Sequence, residues 1–246
     1  KAAEVSGRPY EPDNDDIWYN YFMALSKGYS AYYDGLKENY ISAFTKGYDA
    51  LDYFNNCLKR DSTFYESYIA LGTYKYWVSA KTEILNWLPF FSDDKDKGIE
   101  ILKKAVKHNS YNYHLAVNSL TWVYIEEGKY QKAVEVARPV YDKYPGNKFI
   151  GLALAAAYRN IHPEKAVEVY RRILAKLEET GDPYKLNEIL FKYKIAKVYL
   201  RMNKEHEALR LCNQILSVKD IPRGTLNKLE DKLQEVKEIG DKLTLR

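Results

Sequence analysis

The sequence holds little of what catalytic and metal sites are usually built from: 2 cysteines and 4 histidines among 246 residues. Cys57 and Cys212 stand far apart, without the C-x-x-C spacing of a zinc knuckle or a thioredoxin-like motif, and read as small buried thiols. His108, His114, His162 and His206 form no H-E-x-x-H pair or comparable ligand spacing, so neither a metal nor a cofactor is expected. G-x-S-x-G, Walker and G-x-G-x-x-G motifs are also missing, and the chain is read as no enzyme. Glycine (12) and proline (8) are sparse and leave long uninterrupted stretches, which favours helices over many short strands. No run of about 18 apolar residues occurs, so no integral membrane span is expected. No apolar signal region stands at the start either, and the first residue, Lys1, fits a removed signal or a truncation equally well.

Charge of one sign is likewise nowhere concentrated. The 38 basic and 34 acidic side chains give +4 and are intermixed, which implies no nucleic-acid partner. Residues 1–63 carry 7 basic and 10 acidic side chains, a mild asymmetry that a solvated surface explains. What is present is apolar material, 46% of residues, enough to bury a core, together with 24 tyrosines.

A repeat organises this material. In residues 117–147, Leu120 and Tyr124 lie four apart on one helical face, and Ala133, Ala137 and Val140 form a second stripe. Small Ala133 lets two helices approach. Gly128 supplies the freedom of a tight turn between them, and Pro145 ends the second helix. The pattern recurs with Leu154, Ala155, Tyr158 and then Ala166, Tyr170, Ile173, 33 residues on from Ala133 to Ala166. It recurs again with Ile195, Ala196, Tyr199 and then Ala208, Cys212, Ile215, where Asn203 takes the turn position of Gly128. Upstream, Tyr68, Leu71 and Gly72 open a pair whose second helix carries Gly98 in the place of Ala133, with residues 79–93 interrupting the hairpin. Two longer helices precede it within 14–60, and 221–240 ends the chain with Leu226, Leu229, Leu233 and Val236 at helical spacing.

These spacings resemble the tetratricopeptide repeat, whose period is about 34 residues, over residues 64–216. The resemblance implies an all-α fold, a right-handed α-α superhelix of about five helix pairs with a C-terminal capping helix. Its divisions would be an extended or disordered segment at 1–12, a long helix pair at 13–63, and repeats at 64–113 (with the insertion), 114–147, 148–181 and 189–220. A cap would follow at 221–246. The string S-A-K-x-x-I-L-x-W-L-P-F-F in the insertion looks more narrowly like an outer-membrane-related branch of that family.

Function then follows by resemblance: a scaffold for a protein or peptide partner, received on a concave groove lined by the first helix of each pair. The groove positions carried over are Thr73, Tyr76 and Trp77, then Asn118, Trp122 and Glu126, then Arg159 and Asn160, then Tyr193, Lys197 and Arg201. A clamp for a terminal carboxylate uses Lys and Asn at two such positions. Here those are Ile69 and Thr73, so that clamp is not expected. Aromatic surface beside Arg159, Lys197 and Arg201 suits a ligand with apolar anchors and some negative charge. The tyrosines at repeat positions read as packing residues. The apolar insertion side chains Trp87, Leu88, Phe90 and Phe91 either plug the groove or contact a partner as an assembly surface. Asp93, Asp94 and Asp96 read as caps of the helix that follows them. No oligomeric state is implied.

Overall fold

A computed structural model of the chain describes residues 15–81, 94–108 and 110–245. Among these residues it is all-helical: eleven helices and no strand. They are α1 (Ile17–Leu36), α2 (Tyr40–Arg60), α3 (Tyr65–Lys81), α4 (Lys95–Lys107), α5 (Tyr113–Glu126), α6 (Tyr130–Lys143), α7 (Lys148–Ile161), α8 (Pro163–Thr180), α9 (Leu186–Arg201), α10 (Glu205–Leu216) and α11 (Arg223–Thr244). Consecutive helices pack on one another from α1 to α4 and from α6 to α11, in keeping with an α-α repeat. The chain divides into two compact units, Lys1–Leu120 and Thr121–Arg246, the division falling inside α5.

In the first unit, α1 and α2 form a hairpin whose core gathers Tyr21, Met23 and Ala24 from α1 and Ala50, Tyr53, Phe54 and Cys57 from α2. Asp16 opens α1 by accepting hydrogen bonds from the Trp18 and Tyr19 N–H groups, which otherwise lack intrahelical partners. The pair α3 and α4 crosses at two glycines. A Cβ built on Gly98 would lie 2.6 Å from the Tyr76 nitrogen and 2.9 Å from the Gly72 carbonyl oxygen. The small residue expected at this point of the repeat is thus reduced to none, and two backbones touch.

In the second unit every helix from α6 to α11 packs on its neighbour, and α11 also reaches α9. The small residues of the stripes, Ala133, Ala166 and Ala208, are wholly buried, as are most of the apolar partners read beside them. Gly128 and Asn203 both take positive φ, 67° and 55°, at their turns. Asn147 opens α7 by accepting from the N–H groups of Phe149 and Ile150 at 3.1 and 3.2 Å.

Asp94 departs from expectation. It stands at the N-cap of α4 but makes no capping hydrogen bond, because its carboxylate is held instead by Lys75 at 3.3 Å and Lys97 at 2.7 Å. Two ammonium groups within reach outcompete the backbone donors and hold its pKa below the usual carboxylate range.

Candidate functional site

The groove residues fall into two sets, one in each unit. In the first unit, Tyr76 is removed from the candidates. Its side chain is wholly buried, its backbone lies against Gly98, and its ring meets Trp77 edge-on at 5.2 Å between centroids. The glycine crossing draws Tyr76 inward, so it packs rather than receives a guest. Trp77 remains half-buried. Thr73 and Asn118 are half-buried, and the Thr73 Oγ1 and Asn118 Oδ1 atoms are buried without a hydrogen bond. Trp87, Leu88, Phe90 and Phe91 lie outside the described residues.

In the second unit, Trp122 is half-buried and Glu126 exposed on α5. The other five candidates are brought together by α7, α9 and α11. Arg201 donates to the Asn160 Oδ1 at 3.3 Å, tying the end of α9 to the end of α7. Tyr193 and Lys197, one turn apart on α9, both donate to the carboxylate of Glu235 on α11. The contacts to Lys197 and then to Tyr193 hold the Glu235 pKa low. Burial, followed by the adjacent carboxylate, pushes the Tyr193 phenol up to about 12.

Two cations belong to this face as well. Lys194 is not among the groove positions taken from the repeat, yet it feels the charges of Arg159 and of Lys232 of α11. Its pKa is lowered first by burial and then by those two like charges. Arg159 is half-buried, and its Nε is buried without a hydrogen bond. Sequence reasoning missed Lys194, Lys232 and Glu235. Lys194 sits one residue past a groove position, and the two α11 residues belong to a helix read only as a polar cap. Their pairing crosses 38 to 42 residues of chain, so no local spacing marks it.

A third feature was not legible at all. On the α1–α2 hairpin no residue from Gly28 to Asp49 is buried. This stretch exposes Tyr29, Tyr32, Tyr33, Tyr40, Ile41 and Phe44, from 56% for Tyr33 to 85% for Ile41. The tyrosines Tyr124, Tyr158, Tyr170 and Tyr199 of the repeats are all buried, as are Tyr21 and Tyr53 in the hairpin core, but the hairpin's Tyr29, Tyr32, Tyr33, Tyr40 and Tyr48 are exposed. A helical stripe of aromatics looks alike in sequence whether a neighbouring helix covers it or water does.

An open cleft of about 790 Å³ in the first unit collects the carboxylates of Asp15, Asp16, Asp61 and Glu66 beside Trp18, Phe64 and Tyr111. These carboxylates are already engaged: Asp15 by Arg60, Asp16 by the start of α1, Asp61 by Thr63, and Glu66 by the Asn112 N–H. Hydrogen bonds from Thr63 hold the Asp61 pKa low, the reverse of what a general acid needs at neutral pH. Among the described residues no three His, Cys, Asp or Glu side chains cluster as metal ligands. No described helix is long and apolar enough to cross a membrane.

No protein-family model matches the chain, and no curated protein matches it.

Proposed function

We propose that the chain is a non-enzymatic scaffold of the tetratricopeptide kind, which binds a protein or peptide partner on the first-helix faces of its helix pairs. The observation that carries this reading is the division of labour within α7 and α9. On α7, Ala153, Leu154, Ala155 and Ala157 are buried, while Arg159 and Asn160 stay half-buried and exposed. On α9, Ile195, Ala196, Val198 and Tyr199 are buried, while Tyr193, Lys197 and Arg201 keep access to water. Each helix thus packs through one face and offers polar and aromatic groups on another, as a recognition surface requires.

The double substitution Trp122→Ala with Arg201→Glu tests this. Neither residue is buried, so helical circular dichroism should be retained, while recovery of partners in a pull-down should fall about tenfold, the effect of removing an aromatic anchor and reversing a charge. Undiminished recovery would sink the reading.

The hairpin favours a second reading, in which the protein is an assembly component. The contact foreseen for such a role was the insertion at 79–93, but the described surface that suits it is the exposed aromatic stretch from Tyr29 to Tyr48. Contiguous apolar surface on this scale marks contact with a protein or a membrane. Tyr40→Ser with Phe44→Ser, at side chains 69% and 67% exposed, should leave unfolding unchanged within about 0.5 kcal/mol and abolish co-sedimentation with the partner assembly. Persistent co-sedimentation would exclude this surface.

A further inference from the structure

Over residues 28–49 the α1–α2 hairpin has no buried residue, and its polar and apolar groups sort to opposite edges. One edge ties the helices together: Asp34 of α1 accepts from the Ser42 hydroxyl and the Lys46 ammonium of α2, each at 2.6 Å. Two residues of helix turn through about 200°. Tyr32 and Leu36 stand two residues from Asp34, while Tyr40, Phe44 and Tyr48 stand two residues from Ser42 or Lys46, so all five lie on the edge away from that tie. Tyr29 and Tyr33 join Leu36 at offsets of seven and three, on the same side of α1. The side chains of this face are 56% to 69% exposed, and the Phe44 and Tyr48 rings already touch, with centroids 5.6 Å apart. At about 200 Å² per aromatic side chain, six rings at this exposure offer on the order of 750 Å², and a specific interface takes about 800 Å² from each partner.

We propose that this face joins a second copy of the chain in a symmetric dimer, hairpin against hairpin. The proposal rests on the assembly reading and deepens it by naming the partner. Charge selects the occupant. Residues 27–49 hold three basic side chains, Lys27, Lys37 and Lys46, and three acidic ones, Asp34, Glu38 and Asp49. Asp34 pairs with Lys46 and Asp49 with Lys27, and Lys37 lies 4.4 Å over the Tyr33 ring. Two copies therefore approach without net repulsion, whereas a strongly acidic or basic partner meets no field that would draw it. A membrane surface is disfavoured as well. Helices that lie on membranes carry Lys and Arg in excess beside the apolar face, and residues 1–63 hold 10 acidic against 7 basic side chains. A two-fold axis sets the same face on both sides, so one apolar patch covers its twin. Each hairpin then supplies two helices to a four-helix arrangement with axes about 10 Å apart, and tyrosine hydroxyls at its rim keep their contact with water.

Sedimentation velocity of the purified full chain across micromolar concentrations tests the proposal. The parent should shift with concentration from 28.8 kDa to twice that mass. Because a two-fold interface repeats every substitution on both sides, Tyr40→Ser with Phe44→Ser should raise the dimer dissociation constant at least about a hundredfold, and so should Tyr29→Ser with Tyr33→Ser from α1. Tyr111→Ser is the control: its ring, 88% exposed, is more open than any of these but lies off the hairpin, and dimerisation should be unchanged. Unfolding curves of parent and variants should coincide at dilutions where the parent is monomeric, which separates lost association from lost folding. Backbone amides of residues 28–49 should exchange with deuterium more slowly as the parent is concentrated, and at a constant rate in the variants. A parent monomeric at every concentration, or dimers that persist in both double variants, would overturn the proposal. So would sedimentation of monomers with phosphatidylserine vesicles, which would give the face to a membrane. A monomeric parent whose Tyr40→Ser, Phe44→Ser variant still loses co-sedimentation with the partner assembly would remove the second copy and leave the assembly reading standing.

Discussion

Gly98→Val should destabilise the protein by about 3 kcal/mol, and Gly98→Ala should already be destabilising even though alanine is the better helix former. Two effects compete at this position. Intrinsic propensity favours alanine over glycine by about 1 kcal/mol in a helix interior. Against it, the new Cβ would stand 2.6 Å from the Tyr76 nitrogen, 2.9 Å from the Gly72 carbonyl oxygen and 2.9 Å from the Tyr76 Cβ. Two of these three neighbours are main-chain atoms of α3, and helical backbone cannot swing aside as a side chain can. Either α3 and α4 separate, or the contact is relieved by unwinding a turn. Gly72 faces the same constraint from the other side, with Ile101, Leu102 and the Gly98 oxygen within 3.0 Å of its Cβ. Gly224→Ala is the control: it lies in the first turn of α11 with no heavy atom within 4 Å of a new Cβ, so propensity acts alone and stability should rise slightly. Urea unfolding followed by circular dichroism reads both. A midpoint for Gly98→Ala equal to or above that of the parent would refute the close crossing.

Tyr170→Ala should cost about 3 kcal/mol in the second unit, while Tyr170→Phe should cost about 1 kcal/mol or less. Tyr170 is among the largest fully buried side chains, 1% exposed, and its ring lies 6.0 Å from that of Phe191 across the α8–α9 contact. Alanine leaves a ring-sized cavity that neighbouring helices fill only by shifting. Phenylalanine keeps the ring and loses only a hydroxyl, whose pKa burial already pushes up. Thermal unfolding of both variants decides between a packing role and a polar one. A Phe variant as unstable as the Ala variant would place the weight on the hydroxyl and contradict this account.

Tyr170 and Gly98 illustrate two levels of legibility. Tyr170 could be read from its neighbours in sequence, because a stripe with Ala166 and Ile173 has one apolar face and a packed helix must bury it. Gly98 could be read as a small residue by its offset from Ala133, but not as one that must lack a side chain. Nothing in the α4 sequence reports how closely α3 approaches.

The candidate site divides in the same way. Arg159, Asn160, Lys197 and Arg201 are groove positions that the resemblance to the repeat family implies, and the structure joins Asn160 to Arg201. Tyr76 is implied by the same resemblance and is instead buried. A periodic pattern assigns a residue to a helical face but does not say what the face meets.

The sequence by itself determined that this chain is helical, that its helices turn at Gly128 and Asn203, and that the small Ala133, Ala166 and Ala208 are buried between helices, since period, breakers and side-chain volume act over a few residues. Only the tertiary structure decided that Glu235 engages Tyr193 and Lys197, that Arg201 bonds to Asn160, and that the hairpin's aromatics from Tyr29 to Tyr48 face water. Those outcomes depend on the distance and burial of groups far apart in the chain, which enter the energy only once the helices are packed.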